Sequence, residues 1–398
     1  MWRIGPAGAL LLLLSVVAGC GGDTAAPTTA AQSVTTTVVP PTATTTTEAP
    51  ATTTTAATTT TTSALAAAGA ALGRPGPFGV GRVEFETGDA EERTVRVLVF
   101  YPADTGYSRP QADVAPDTSG APYPVLLGDT SIGDVFGAHL ASHGFVFLAV
   151  RNQTSWGMTL STAMIDYPRD QMLALDALEA LDGHLLTGLA DTSRAGAIGY
   201  SFGSWDALML AGARIDPEHY LSTCADRPEG WSDNWWQYIC GAPRYWERIV
   251  ARAEEVGIAT PDGLWASMGD ERIKAVMPMG PEGFDLVGPA GLAAVTTPAL
   301  FVAAQEDRVN DYDPATTSLF EHYPNAQLIT FMGAGHMMIF QEDAVSQMGR
   351  FAAAFFGYHL AGRDDFAPYL TEEFVEDVAP GLGPSDSFTT LRWGPAAP

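Results

Sequence analysis

The chain has 398 residues and a formal net charge of −26, with 46 acidic side chains against 20 lysines and arginines. Its length is sufficient for one large domain with additional segments. Because the phosphates of nucleic acids would be repelled by such a charge, we expect no nucleic-acid partner.

The first 19 residues have the organisation of a signal peptide. Arg3 supplies a positive charge, and the apolar stretch 9–18 is too short to span a bilayer comfortably. The segment ends in Val17-Ala18-Gly19-Cys20, which resembles the lipobox of bacterial lipoproteins. The resemblance implies that Cys20 is acylated and becomes the first mature residue, and that the protein lies outside the cytoplasm, anchored to the cell membrane. The alternative is an ordinary signal peptide with a cysteine nearby.

Residues 20–72 are expected to form a tether. The stretch 23–64 consists almost wholly of threonine, alanine and proline, and it lacks the apolar periodicity that a packed core requires. We therefore predict a disordered, extended segment that spaces a folded domain, residues 73–398, away from the membrane.

Short apolar strands and helices alternate within the predicted domain. Alternating polar and apolar residues on either side of a turn predict an antiparallel hairpin, with strands at 82–87 and 94–100. Further runs have the length and composition of buried strands, namely 124–128, 145–150, 195–198, 273–278, 298–304 and 327–331. Helical spacing is found at 134–143, 168–181, 315–322 and 345–360. This alternation predicts an α/β domain whose mostly parallel sheet is covered by helices on both faces, with ligands bound beyond the carboxyl ends of the strands.

The sequence Gly199-Tyr200-Ser201-Phe202-Gly203 has the G-x-S-x-G pattern of a nucleophile elbow. An apolar strand precedes it and the helix-spaced stretch 205–210 follows it. Small residues are needed at 199 and 203 because the sharp turn brings backbone segments close together. The helix that follows would present free N–H groups to a developing oxyanion, and the Phe202 N–H is one expected donor.

A serine nucleophile requires a base and an acid, and in this fold they follow in the order Ser, acid, His. Asp307 comes shortly after the predicted strand 298–304, with Glu306 as its nearest competitor. His336 follows the next strand, after two glycines that permit a tight loop. The remaining histidines fall on or near predicted helices and are interpreted as structural. We therefore predict a triad of Ser201, Asp307 and His336.

Several stretches resemble the bacterial group of predicted dienelactone hydrolases, which is related to platelet-activating-factor acetylhydrolases and to cutinase-like polyester hydrolases. They are GPFGVG at 76–81, VFYPA at 99–103, LASHGF at 140–145, GYSFGS at 199–204 and RIKAV at 272–276. The resemblance spans about 75–370 and implies an α/β-hydrolase fold with a Ser–Asp–His triad on Ser201, Asp307 and His336. True dienelactone hydrolases have a cysteine nucleophile, so the substrate in the group's name is not supported.

The loop after the predicted strand 124–128 departs from the pattern of these families. There the loop commonly reads His-Gly or Pro-Gly, and one of its backbone N–H groups completes the oxyanion hole. Here the loop reads Asp129-Thr130-Ser131, so the second donor is expected to be the N–H of Thr130 or of Ser131. A carboxylate at 129 would oppose an oxyanion unless it points outward. This feature favours the alternative function, a non-catalytic lipoprotein of hydrolase fold that binds a lipid or wall component.

A tryptophan-rich insertion is predicted at about 214–270, after the nucleophile helix. Its tryptophans either line a cap over the cleft or form a small core of their own, and they are Trp231, Trp235, Trp236, Trp246 and Trp265. Trp156, in the loop after the strand 145–150, is a further candidate for the cleft.

Cys224 and Cys240 also lie in this insertion. If Cys20 is acylated, they are the two cysteines that remain. Outside the cytoplasm we predict that they form a disulfide, which would close a loop of about 17 residues and contribute about 3 kcal/mol. The alternative is a pair of buried free thiols.

The expected activity is hydrolysis of carboxylic esters through an acyl-enzyme on Ser201. Lipid, small-molecule and polyester substrates stay open, and the sequence does not separate hydrolysis from acyl transfer to another acceptor. No cluster of histidines and cysteines has metal-ligand spacing and no glycine-rich phosphate loop is present, so we expect no cofactor. The expected partners are the ester substrate and, through the lipid anchor, the membrane, and we expect a monomer.

Overall fold

A computed structural model of the chain describes residues 55–88, 94–151, 161–227, 229, 231–240, 243–261, 263–382 and 390–395. The predicted signal peptide, Cys20, most of the predicted tether and Trp156 lie outside these residues. Within them, no helix combines the length and the apolar character that crossing a bilayer would require.

The centre of the domain is a ten-stranded mixed sheet. Its strands in chain order are β1 Gly79–Gly88, β2 Thr94–Ala103, β3 Gln111–Ala112, β4 Tyr123–Asp129, β5 Val146–Arg151, β6 Ala190–Tyr200, β7 Ile273–Met279, β8 Ala299–Ala304, β9 Ala326–Phe331 and β10 Leu391–Trp393. Across the sheet they lie in the order β10-β9-β8-β7-β6-β4-β5-β2-β1-β3. Strands β4 to β9 pair in parallel, while β1 with β2, β2 with β5 and β9 with β10 pair antiparallel. The chain is therefore an α/β protein with a mostly parallel sheet.

Helices connect most of the parallel strands. They are α1 Thr55–Leu72, α2 Thr130–Ile132, α3 Ala138–Ser142, α4 Ala163–Ala180, α5 Phe202–Leu210, α6 Pro217–Ala225, α7 Asp233–Cys240, α8 Pro243–Glu255, α9 Phe284–Leu292, α10 Thr317–His322 and α11 Glu342–Ala361. Shorter π-helical turns lie at Gly133–Gly137, Tyr312–Thr316 and Phe374–Val378. Turns of 3-10 helix lie at His336–Phe340, Asp364–Tyr369 and Ala379–Leu382.

Apolar cores lie on both faces of the sheet, because successive side chains of a strand point to opposite sides. In β5, Val146, Leu148 and Val150 enter one core, Phe147 and Ala149 enter the other, and none of the five is exposed to solvent. The first core also takes side chains from α4, α5 and the insertion, and the second from α3 and α11. Burial on both faces explains why these strands are continuous apolar runs.

The structured part of the chain begins earlier than the predicted boundary at residue 73. Residues 55–72 form α1, so the end of the stretch that we expected to be a disordered tether is helical. Its last turns are rich in alanine, the residue with the highest helix propensity. Small side chains also let it pack closely, since a Cβ placed on Gly69 would lie 2.5 Å from the ring of Phe374. The prediction from composition was wrong here because it took no account of a surface on which this helix could pack.

Arg350 of α11 forms a hydrogen bond with the C-terminal end of α1. Its buried guanidinium donates to the Gly69 carbonyl at 2.8 Å and to the Leu382 carbonyl at 2.9 Å. The last carbonyls of a helix have no intrahelical donor, so this contact satisfies one of them and places a cation at the negative end of the helix. Burial lowers the pKa of Arg350 from 12.5 to about 10.

The tryptophans of the insertion belong to the first core. Trp231, Trp235 and Trp265 are buried, and the rings of Trp246 and Trp265 stack with their centroids 5.4 Å apart. These four tryptophans therefore pack within a core, which is one of the two roles predicted for the tryptophans of the insertion. The core is not separate from the rest of the domain, because it is continuous with the side chains of α4 and α5.

The predicted disulfide between Cys224 and Cys240 is present and joins the end of α6 to the end of α7. The two cysteines are 16 positions apart, and a cross-link over such a loop stabilises a folded protein by about 3 kcal/mol, mainly by restricting the unfolded chain. The same two helices are also joined by the Tyr220 hydroxyl, which donates to the Ile239 carbonyl at 3.0 Å. The position of α7 is therefore fixed from within the insertion.

Candidate active site

Ser201 lies in the sharp turn between β6 and α5 and has a strained backbone. Its φ is 54° and its ψ is −123°, a conformation that costs a residue other than glycine roughly 1–3 kcal/mol. The turn is held by its N–H, which donates to the Met279 carbonyl at 2.9 Å, and by its carbonyl, which accepts from the Ser204 N–H at 2.8 Å. A Cβ on Gly199 would lie 1.9 Å from the Gly203 carbonyl oxygen, so glycine at 199 is a steric requirement of this turn.

The structure brings the side chains of Ser201, His336 and Asp307 together. His336 Nε2 lies 3.0 Å from Ser201 Oγ, and His336 Nδ1 lies 2.7 Å from Asp307 Oδ2. The three residues follow β6, β9 and β8, whose carboxyl ends lie along one edge of the sheet. If Nδ1 carries the proton and donates to the carboxylate, Nε2 is free to accept the hydroxyl proton, which is the arrangement of a general base.

Asp307, and not its neighbour Glu306, faces the imidazole. Asp307 is 5% exposed, and its Oδ1 accepts hydrogen bonds from the backbone N–H groups of Val309 at 2.9 Å and Asn310 at 3.0 Å. These bonds fix the orientation of the carboxylate and leave Oδ2 for His336. The Glu306 side chain is exposed. From the sequence, the choice between the two acids depended only on their positions in the loop. In the structure, burial and hydrogen bonding favour Asp307.

His336 is held from two sides. The Tyr200 hydroxyl donates to the His336 carbonyl, and the two rings lie with their centroids 5.4 Å apart. On the other side is Gly280, the first residue after β7, whose φ is 51°. A Cβ on Gly280 would lie 3.6 Å from His336 Cε1, so any side chain at position 280 would be in van der Waals contact with the imidazole.

The loop predicted to complete the oxyanion hole begins a short helix immediately after β4. Asp129 caps this helix, since its Oδ1 accepts from the N–H groups of Ser131 at 2.7 Å and Ile132 at 3.0 Å. The N–H of Ser131 is therefore occupied and Ser131 is not supported as an oxyanion donor, which leaves Thr130 of the two predicted candidates. Phe202 is the first residue of α5, and N–H groups at the start of a helix have no intrahelical acceptor. Thr130 and Phe202 thus remain as the candidate donors.

The Asp129 carboxylate does not point outward to solvent. The residue is 8% exposed, and its Oδ2 lies 3.0 Å from the position that a Cβ on Gly203 would take. One turn further along α5, Asp206 is buried and accepts a hydrogen bond from Gln171 at 2.9 Å. Burial, together with the charge of Asp129, raises the pKa of Asp206 well above its ordinary value, which favours a neutral Asp206. The total negative charge of Asp129 and Asp206 beside α5 is therefore smaller than if both were ionised.

Sequence analysis missed a second set of ionisable groups beside the triad. Glu282 and Asp285, which follow β7, are 4% and 1% exposed. Burial raises the pKa of both carboxyl groups to about 7. The hydroxyl of Tyr238, on α7, donates to Glu282 Oε1 at 3.2 Å. The signal present in the sequence was the position of Glu282, four residues after a predicted strand whose end lies at the same sheet edge.

Comparison with known proteins assigns no family to this site. The sequence matches no protein-family model, and no curated protein matches it. Across the described ranges there is no group of three or more His, Cys, Asp or Glu side chains placed to hold a metal ion. The chemistry of the site is therefore inferred from its own side chains and their geometry.

Proposed function

We propose that the protein is a serine hydrolase of the α/β-hydrolase fold that cleaves carboxylic esters through an acyl-enzyme on Ser201. The observation that carries this proposal is the hydrogen-bonded series from Ser201 Oγ through His336 to Asp307, with distances of 3.0 Å and 2.7 Å. The strained backbone of Ser201 supports it, because such strain persists only where the surrounding structure enforces it and is concentrated at functional sites.

The reaction begins when His336 Nε2 removes the hydroxyl proton as Ser201 Oγ attacks the carbonyl carbon of the ester. Asp307 holds the imidazole in the required tautomer and stabilises the imidazolium. The N–H groups of Phe202 and Thr130 stabilise the tetrahedral oxyanion. When the intermediate collapses, the alcohol leaves with the proton from His336. Water, activated by the same base, then releases the acid. An acceptor other than water would use the same acyl-enzyme.

Exposed apolar side chains around the triad favour an ester with an apolar acyl or alcohol part. Val309, two residues after Asp307, is 52% exposed. Met337 and Phe340, in the 3-10 turn that begins at His336, are 44% and 71% exposed, and residues three apart in such a turn lie on one side of it. The lipobox-like sequence supports a location on the outer side of a cell membrane, where lipid and polymer esters as well as small esters are accessible.

The direct test is hydrolysis of p-nitrophenyl butyrate by the wild type and by Ser201→Ala. We expect kcat to fall by about 10⁴-fold or more, since loss of a serine nucleophile has effects of that size. Ser222→Ala, which removes an exposed hydroxyl on α6, is the matched control and should keep the wild-type rate. Equal rates for the wild type and Ser201→Ala would refute the proposal.

The second candidate function is binding of a lipid or wall component without turnover. The buried carboxylate of Asp129, close to the start of α5, is the observation that favours it. A fluorophosphonate separates the two functions, because only an activated serine reacts rapidly with it. Labelling of the wild type that is abolished in Ser201→Ala would exclude the binding protein, and a wild type that stays unlabelled would exclude the hydrolase.

A further inference from the structure

We propose that Asp129 is a positioning residue for the oxyanion hole. Its carboxylate fixes the start of α2, and with it the N–H of Thr130, against the elbow that carries Ser201 and Phe202. This inference rests on the proposed function and extends it to a residue outside the triad.

One oxygen of the carboxylate caps α2. Asp129 Oδ1 accepts hydrogen bonds from the Ser131 N–H at 2.7 Å, from the Ile132 N–H at 3.0 Å and from the Ser131 hydroxyl. The backbone of Asp129 is extended and that of Ile132 is helical, as expected of an N-cap residue and the turn that it begins. The N–H groups of the first turn of a helix point the same way, so bonds to the second and third fix the direction of the first, which belongs to Thr130.

The helical run that Asp129 begins is longer than α2 itself. It continues through the π-helical turn Gly133–Gly137 into α3, and the residues at both junctions have helical backbone angles. Just before the cap, a Cβ on Gly128 would lie 2.9 Å from the Ile198 carbonyl oxygen of β6. The capped turn is therefore held close to the strand that leads into the nucleophile elbow.

The other oxygen of the carboxylate lies against the first turn of α5. A Cβ on Gly203 would lie 3.0 Å from Asp129 Oδ2, and Gly203 follows Phe202 as the second residue of α5. A side chain at position 203 would crowd this oxygen, which gives the second glycine of the G-x-S-x-G pattern a local steric reason. Asp129 is 8% exposed. Its carboxylate thus contacts the starts of both helices whose first N–H groups are the candidate oxyanion donors.

The charge of the Asp129 carboxylate is compensated where it lies. Oδ1 has two backbone N–H donors and one hydroxyl donor, and hydrogen bonds to an ionised acceptor are stronger than those between neutral groups. The starts of helices also carry partial positive charge, which stabilises a carboxylate and an oxyanion alike. A buried carboxylate beside the elbow is therefore compatible with catalysis.

The first test is the hydrolysis of p-nitrophenyl butyrate by the wild type, Asp129→Ala and Asp129→Asn. Alanine removes the acceptor, and we expect kcat to fall about 10–100-fold with KM changed less than about threefold, because an oxyanion donor acts mainly in the transition state. Asparagine caps helices as well as aspartate does, since its carbonyl oxygen accepts the same N–H groups. Asp129→Asn should therefore keep at least about a third of the wild-type kcat.

A butyl trifluoromethyl ketone distinguishes positioning from a general loss of structure. The ketone adds to Ser201 Oγ as a hemiketal whose oxyanion takes the place of the one in the reaction, while His336 retains the hydroxyl proton. Its inhibition constant should rise in Asp129→Ala by about the same factor as kcat falls. The inhibition constant of butyrate, which forms no such adduct, should change less than about threefold.

Asp216→Ala is the matched control. Asp216 caps α6 in the same way, since its Oδ1 accepts from the His219 N–H at 3.0 Å, and α6 belongs to the insertion. Both alanine variants should lower the midpoint of urea unfolding, and only Asp129→Ala should lower kcat. If Asp129→Ala does not fold, Asp129→Gly supplies the test, because glycine is tolerated better than alanine as an N-cap residue and also lacks the acceptor.

Three results would overturn the inference while the proposed function stands. They are an Asp129→Ala kcat within about threefold of the wild type, an Asp129→Asn kcat as low as that of Asp129→Ala, and a loss of kcat in Asp129→Ala that leaves the inhibition constant of the ketone unchanged. A wild type that neither hydrolyses the ester nor reacts with a fluorophosphonate would overturn the proposed function, and the inference with it, so the two failures are distinguishable.

Discussion

The loops after β7 and β8 follow neighbouring strands at the same sheet edge, and each is followed by a buried carboxyl group, Glu282 and Asp307. They support those groups differently. Asp307 accepts two backbone N–H groups from its own loop as well as the imidazole, whereas Glu282 accepts the hydroxyl of Tyr238 from a separate helix. Backbone N–H donors that the loop already holds in place stabilise a buried charge without the cost of ordering a side chain. The comparison indicates that Asp307 is held by donors of its own loop, whereas Glu282 is held by a donor from the insertion.

The largest expected effect comes from removing the locally built acid. Asp307→Asn should lower kcat for p-nitrophenyl butyrate at pH 7 by about 10³–10⁴-fold, because an amide that donates to Nδ1 stabilises the wrong imidazole tautomer. Steady-state kinetics measures this loss. A decrease below about tenfold would contradict the assignment of Asp307.

A second prediction concerns the free energy of unfolding, which we expect to fall as the carboxyl group of Asp285, after β7, ionises. Burial raises the pKa of Asp285 from 3.8 to about 7, so between these values the folded protein retains a proton that the unfolded chain releases. Stability from this group is therefore complete below about pH 4 and is lost as the pH rises to about 7. Asp285→Asn should remove that loss and be roughly 2–4 kcal/mol more stable than the wild type at pH 8, relative to their difference at pH 4.

Urea unfolding at pH 4 and pH 8 measures this difference. The comparison between the two pH values separates the ionisation of Asp285 from any change in packing against Trp235, since a packing effect would be the same at both. A difference in unfolding free energy between variant and wild type that does not vary with pH would contradict the prediction.

The smallest expected effect concerns the link between the two loops. Asn310 is 2% exposed, and Asn310→Ala leaves the Gly280 carbonyl without its side-chain donor. We expect a loss of about 1–2 kcal/mol in the free energy of unfolding. Asn325→Ala, at an exposed site, is the control and should change stability by less than about 0.5 kcal/mol. Equal effects of the two substitutions would indicate that the loops are not joined through Asn310.

Local patterns were sufficient to predict eight of the ten strands, all but β3 and β10, and the three side chains that the structure brings together. The G-x-S-x-G spacing follows from sterics within five residues, as the close approach of Gly199 and Gly203 shows. The positions of Asp307 and His336 follow from parallel strands, whose carboxyl ends meet at one edge. The strand segments themselves were predictable because burial on both faces leaves continuous apolar runs.

The features that the sequence left open depend on contacts between distant segments. The choice between Thr130 and Ser131 required knowing that Asp129 caps a helix, which occupies the Ser131 N–H. Glu282 is a lone acidic residue without a pattern, and its hydrogen-bond donor Tyr238 lies 44 positions earlier. In the same way, composition gave no sign that α1 has a packing surface on α11.

The contact between Arg350 and α1 matters for recombinant production of the folded domain. A protein truncated at residue 73 would lack the Gly69 carbonyl, and the buried guanidinium would lose that acceptor while apolar surface of α11 becomes exposed. Since newly exposed apolar surface favours aggregation, such a truncation is expected to be poorly soluble. Expression from residue 55 retains the helix and its acceptor groups.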